Sequence, residues 1–224
     1  MGKFLYLART VFIALALMLI LSGVALAEEL RFSSAKYLYS ISLPDGWIQI
    51  PDSELTRFKE NLPPQAQHLI YDAAFQRGNA GKWFEWPYII LQVSPPPDRT
   101  KIKRLPTEEE FQKFISVVSG GRAVSKLKEA IDAVPNPEDK AYLNSLLPSL
   151  SKPSVQVNVA SRKYWLVING NDPVSGPMKA YSAGTFMPDG NMIVLNAYTK
   201  ESRFREDLGQ FLLISRSLRK SPGL

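Results

Sequence analysis

The residues whose types and spacing could do chemistry are few. Ala180-Tyr-Ser182-Ala-Gly184 approximates the G-x-S-x-G turn that presents a nucleophilic serine. That turn must join a strand to a helix, and its triad runs serine, acid, histidine along the chain. Here Thr185 and Phe186 continue toward a Pro188-Asp-Gly-Asn191 turn, which places Ser182 inside a strand. The single histidine, His68, precedes it, so the order is wrong for that hydrolase class. Ser33-Ser-Ala-Lys36 and Ser149-Leu-Ser-Lys152 match the S-x-x-K spacing of serine–lysine dyads, but each falls near a strand start or a proline-rich loop. One histidine and no cysteine exclude the usual zinc ligand sets. Asn169-Gly-Asn-Asp172 offers oxygens without the spaced acids and terminal Glu of an EF-hand, and reads as a turn. Gly120-Gly121 is followed by Arg122 and lacks the Lys-Ser/Thr of a phosphate loop. The residue pattern therefore predicts no enzyme, no catalytic residues, no metal and no cofactor.

Two stretches suit binding. Trp83-Phe84-Glu85-Trp86-Pro87-Tyr88 is dense in aromatics beside a Gly-rich turn. In a strand, residues two apart share a face, so Phe84 and Trp86 would point together, opposite Trp83 and Glu85. One set could fill the core while the other meets a partner, since aromatics and Arg are enriched at binding hot spots. Simple core filling is the alternative. The second stretch is a basic loop after the prolines at 95–97, with Arg99, Lys101, Lys103 and Arg104. It suits an acidic partner or the anionic head groups of a membrane surface, against the plainer reading of a solvated loop.

The elements that must position these residues follow from periodicity. Alternation rich in β-formers predicts strands over 37–43, 47–50, 70–76 and 83–93. Hairpins are predicted for 155–160 with 164–169, and for 179–187 with 192–198 around Pro188-Asp-Gly-Asn191. Helical spacing predicts a helix opening near Ser53 with Leu55, Phe58 and Leu62 on one face, broken at Pro63-Pro64. Thr107-Glu-Glu-Glu110 is a capping box for a helix with Phe111, Phe114, Ile115 and Val118 inward, ending at Gly120-Gly121. Further helical stretches lie over 124–134 and 137–147, a helical insert around residues 122–153. The last helix covers 202–218 with Phe204, Leu208, Phe211, Leu212 and Ile214 inward. Hairpins alternating with helices predict an α+β fold, an antiparallel sheet covered by helices.

The N-terminus reads as an export signal. Lys3 and Arg9 precede an apolar run over 10–26, which closes on Ala25-Leu-Ala27 before Glu28-Glu29. That run lies at the lower limit of about 17 residues for a membrane span, so an uncleaved anchor is the alternative. Cleavage after Ala27 leaves 197 of the 224 residues, a single domain over 28–224. Lys3 and Arg9 hold two of the six net positive charges, leaving +4, too little to imply nucleic acid. An exported chain without cysteine points to the bacterial periplasm.

Two segments carry a family likeness. Tyr39-Ser-Ile-Ser-Leu-Pro-Asp-Gly-Trp47 runs a strand into Pro-x-Gly-Trp. Asn191-Met-Ile-Val-Leu-Asn-Ala-Tyr198 precedes the last helix and its Ser215-Arg-Ser-Leu-Arg219 ending. This order resembles the PsbP-like superfamily, which includes photosystem II extrinsic proteins and a nuclear-import factor that binds a small GTPase. The chain also resembles uncharacterised exported bacterial proteins through Tyr71-Asp-Ala-Ala-Phe-Gln76 and Trp83-Phe-Glu-Trp-Pro-Tyr88. The likeness implies an α/β/α sandwich and a binding or assembly role, and it transfers no partner. The expectation is an exported binding or assembly protein of the periplasm that recognises another periplasmic or membrane protein by its surface. The alternative is a small-molecule or lipid carrier with a pocket between sheet and helices.

Overall fold

The computed structural model describes residues 29–62, 64–78, 80–96, 104–119, 155–172 and 176–221, with 128, 129, 131, 132, 134–137, 140, 141 and 144. The export segment over 1–27, Arg99, Lys101, Lys103, the Ser149–Lys152 spacing and much of the helical insert lie outside the described residues. Within that insert, residues 128, 129, 131, 132, 137, 140, 141 and 144 are helical.

Two antiparallel sheets hold the described strands. β1 (Leu30–Ser34), β2 (Tyr39–Leu43) and β10 (Arg219–Lys220) form a small sheet in the order β1-β2-β10. β3 (Trp47–Gln49), β4 (Ile70–Arg77), β5 (Tyr88–Ser94), β6 (Gln156–Asn158), β7 (Lys163–Asp172), β8 (Gly176–Phe186) and β9 (Met192–Lys200) form a larger one, ordered β3-β4-β5-β9-β8-β7-β6. The helices are α1 (Asp52–Glu60), α2 (Pro64–Gln67), α3 (Glu108–Ser119) and α4 (Phe204–Ser217), the last preceded by a 3-10 turn at Glu201–Arg203. The fold is the expected α+β class.

Side chains alternate across the large sheet, so each face has its own core. Phe75, Ile89, Leu91, Ile193, Leu195 and Ala197 face α4 and the small sheet, where Phe211, Ile214, Tyr39 and Ile41 close over them. On the other face, Ala74 and Ile90 pack under α1 with Leu55 and Phe58. Further along, Tyr164 and Leu166 pack under α3 with Phe111, Phe114, Ile115 and Val118. The predicted inward faces of α3 and α4 are thus the observed ones. A register shift between Tyr71 and Ala73 interrupts the β4–β5 ladder. Asp72, at that bulge, accepts a 2.6 Å hydrogen bond from the buried Tyr39 hydroxyl and ties the two sheets together.

Four local expectations are corrected. α1 begins at Asp52 after Pro51, with no side-chain cap, so Ser53 lies inside the first turn. Pro51 is already set at φ −58° for the approach to a helix. Pro64 opens α2 instead of merely ending α1, because its missing N–H costs nothing at a first helical position. Residues 83–87 are a turn: Phe84 has φ +62°, the Trp86–Pro87 bond is cis, and β5 starts at Tyr88. Asn169–Asp172 is strand, paired from Asn169↔Lys179 to Asp172↔Gly176, because the ladder with β8 outweighs the turn-forming composition. That pairing also dissolves the predicted oxygen-rich loop.

Candidate functional site

The aromatic stretch is tied into the protein. Gln76, buried at the end of β4, donates to the Lys82 carbonyl at 2.8 Å and accepts from the Phe84 N–H at 2.9 Å. That fixes the turn and drops the Phe84 ring onto Phe58 of α1, stacked at 4.5 Å, with Tyr88 edge-on at 5.5 Å. Tyr88 in turn stacks on Tyr198 at 4.9 Å. Trp83 joins this cluster, and Trp86 is half-buried. The expected sharing of a strand face by Phe84 and Trp86 does not arise, because these residues form no strand.

Arg104 stands elsewhere and is engaged. Its guanidinium grips Glu110 with both terminal nitrogens, at 2.8 and 2.9 Å, and donates to the Leu105 carbonyl at 3.0 Å. The Glu110 carboxylate also accepts from the Thr107 N–H at 2.7 Å, while Thr107 Oγ1 accepts from the Glu110 N–H at 3.2 Å, completing the predicted capping box. The Arg104 hydrogen bonds first, and the Thr107 N–H second, hold the Glu110 carboxyl down at about 2. Tyr88 at one end of β5 pairs with Tyr198, and Ser94 at the other pairs with Met192. The aromatic turn adjoins the first end, and Arg104 borders a hollow with Ser94 and Met192 at the second. Those ends lie about 20 Å apart at the usual rise per strand residue. Among the described residues, Arg104 and the aromatic turn therefore do not converge.

Ser182 lies in β8, opposite Asn196, and donates to Asn196 Oδ1 at 2.9 Å, so it forms no nucleophile turn. Ser33 is in β1, and Lys36 lies in the following turn with its ammonium over the Tyr37 ring at 5.0 Å. His68 is exposed just after α2. Among the described residues, no cluster of three or more His, Asp or Glu side chains could hold a metal.

Two concave sites emerge that residue types alone do not reveal. The first is a cleft of about 390 Å³ bounded by β6, β7, β8 and the last turn of α4. Alternation aims Lys163, Trp165 and Val167 of β7 at the α4 side, beside Thr185, Ala183 and Tyr181 of β8. α4 covers Tyr181, whose hydroxyl lies 3.0 Å from Ser215 Oγ, and leaves the outer strands as an open ledge. Trp165 Nε1 donates to Gln156 Oε1 at 2.6 Å, which orients the indole. Lys163 Nζ donates to the Leu218 carbonyl at 3.3 Å, and partial burial lowers the Lys163 pKa. Arg216 is exposed on the cleft's α4 side, and neither cation makes an ion pair with a described residue. No Asp or Glu is among the described residues that line the cleft. The β7 alternation was legible in the sequence; where α4 stops along β8 was not.

The second hollow, also about 390 Å³, opens between α3 and the ends of β5 and β9. Pro95, Pro96, Pro106, Phe114, Phe186 and Met192 give it an apolar wall, with the Arg104–Glu110 pair at one side.

No protein-family model matches the chain, and no curated protein matches it. Among solved structures, it is similar to the solution structure of cyanobacterial PsbP (CyanoP) from Synechocystis. Identity is 15% and the TM-score 0.43, covering 88% of this chain and 95% of that one. It is also similar to the crystal structure of LpqN, involved in cell envelope biogenesis of Mycobacterium tuberculosis. There identity is 11% and the TM-score 0.40, covering 87% of this chain and 91% of that one.

Proposed function

We propose that the protein is a non-enzymatic binding or assembly protein of the bacterial periplasm, recognising another periplasmic or membrane protein through its surface. The observation that carries this reading is the cleft beside α4. It joins an oriented Trp165 to two cations, Lys163 and Arg216, that the described fold leaves without acids. Trp and Arg are the side chains most enriched where binding energy concentrates. Trp83 and Phe84 of the aromatic turn pack with α1, and Arg104 serves the α3 cap. The cleft, with both cations free of described acids, is therefore the surface we favour for recognition. The N-terminal apolar segment and its Ala25-Leu-Ala27 ending support export.

A photo-crosslinking residue at position 216, introduced into the protein in its host, tests the reading. A discrete protein adduct at 216, absent from the exposed position 213 of α4, is the expected result. Equal labelling from both positions, or none from 216, would refute it.

The apolar hollow under α3 favours a second reading, a small-molecule or lipid carrier with its pocket between sheet and helix. Native mass spectrometry of protein purified from its host discriminates. A stoichiometric apolar ligand, lost on Phe114→Trp filling of the hollow, supports the carrier; ligand-free protein sinks it.

A further inference from the structure

The cleft beside α4 has a chemistry of its own. Lys163 carries three ammonium donors, and the Leu218 carbonyl takes one. Partial burial disfavours its charged form, a penalty that a nearby anion relieves. Arg216 brings a guanidinium with no side-chain hydrogen bond to any described residue, and no acid among the described residues answers either charge. Cations near a helix C-terminus also offset its dipole. The single bond from Lys163 to Leu218 performs that task and leaves the remaining donors to the cleft. The ledge is not built for an alkyl chain. Ser161 and Thr185 line it with hydroxyls, and Asn158 with an amide whose oxygen the Ser161 N–H already engages; an apolar tail would strip the remaining donors of water without repayment. Peptide amides can pair with such groups. Trp165 supplies a flat surface for one side chain.

We infer that the cleft recognises an acidic peptide segment of the partner protein, with a carboxylate taken by Lys163 and Arg216 and a neighbouring side chain laid against Trp165. This rests on the binding-protein reading above and names the chemistry of its partner.

The probes are a fluorescent heptapeptide of glutamates around one tyrosine, its glutamine counterpart, and octanoate, each titrated into the intact protein. The acidic peptide should bind with the Trp165 indole N–H signal shifting, and the glutamine peptide roughly tenfold more weakly or not at all. Raising salt should weaken the complex, because the cleft is open to solvent. Lys163→Met and Arg216→Gln should each cut affinity roughly fivefold or more, with circular dichroism unchanged. Should Lys163→Met fail to fold, the exposed Arg216→Gln carries the test alone. Equal binding of the two peptides, or affinity unmoved by Arg216→Gln, overturns the inference. So does octanoate binding at Trp165 where the acidic peptide does not, which would assign the cleft to small organic acids. A position-216 adduct with a protein, combined with no acidic-peptide binding, removes this inference and leaves the binding reading standing. Absence of the adduct removes the reading itself.

Discussion

Gly184 of β8 lies directly under the ring of Tyr164, its cross-strand partner on β7. A Cβ at position 184 would fall 2.1 Å from Tyr164 Cε1 and 2.5 Å from Cζ. The ring cannot simply lift, because Phe114 of α3 meets it on the helix side with centroids 5.6 Å apart. Glycine at 184 is thus demanded by a close approach, and it sets how near α3 sits to the sheet. Gly184→Ala should cost about 1–3 kcal/mol, the usual penalty for overpacking a filled core. Urea denaturation measures it. A loss below about half a kcal/mol would mean that the ring and α3 yield freely.

The α3 cap predicts a pH signature. Arg104 and the Thr107 N–H depress the Glu110 carboxyl to about 2 in the folded protein. A depressed carboxyl stabilises the fold above its unfolded value, near 4.5, and that contribution fades as pH falls toward 2. A carboxyl-carbon NMR titration should place the Glu110 midpoint well under the ordinary glutamate range. Arg104→Ala should raise it, though not fully, since the Thr107 N–H remains. A wild-type midpoint at the ordinary value would contradict the bidentate geometry.

Phe84 separates the structural from the binding role of the aromatic turn. Its ring is stacked on Phe58 of α1 and meets Tyr88 edge-on, so Phe84→Ala should destabilise the protein by about 2–3 kcal/mol, somewhat less than full burial would give. Adduct formation from position 216 should persist in that variant at temperatures where it stays folded. Selective loss of the adduct with unchanged thermal stability would return the turn to the binding surface.

The sequence exposed what local chemistry decides. Pro188-Asp-Gly-Asn191 fixed a hairpin, Thr107 and Glu110 announced a helix start, and the apolar spacing of Phe204, Leu208, Phe211 and Ile214 named the inward face of α4. Features decided by distant partners were hidden. β1 is a short strand after an acidic flank, and its place comes from pairing Phe32 with Ile41 and from an edge contact with Phe75 at 5.3 Å. The 83–86 stretch has strand composition, yet Gln76 captures its backbone and turns it. Arg104 looked available until Glu110 closed on it. The cleft was least legible of all, because it depends on where the end of α4 lies beside β7 and β8, a relation between elements distant in the chain.

Asp207 anchors the start of α4 and sets where that helix lies across the sheet. It is 2% exposed, accepts from the Thr199 hydroxyl of β9, and is reached by Arg203 at 3.4 Å and Arg77 at 4.0 Å. An acid in the first turn is also favoured by the helix dipole. Asp207→Ala would leave the fully buried Thr199 hydroxyl without its acceptor and take from Arg77 its nearby carboxylate, while Arg203 keeps Glu206 at 3.8 Å, at a cost of about 2–4 kcal/mol. Arg203→Ala should cost under about 1 kcal/mol, because its side chain is nearly half exposed to water. Adding Thr199→Val to Asp207→Ala should recover part of the loss by removing the orphaned hydroxyl. Denaturation of these three variants beside the wild type decides the matter. If Arg203→Ala matched Asp207→Ala and the Thr199→Val addition restored nothing, the ion pair, and not the buried hydroxyl bond, would be what holds α4 in place.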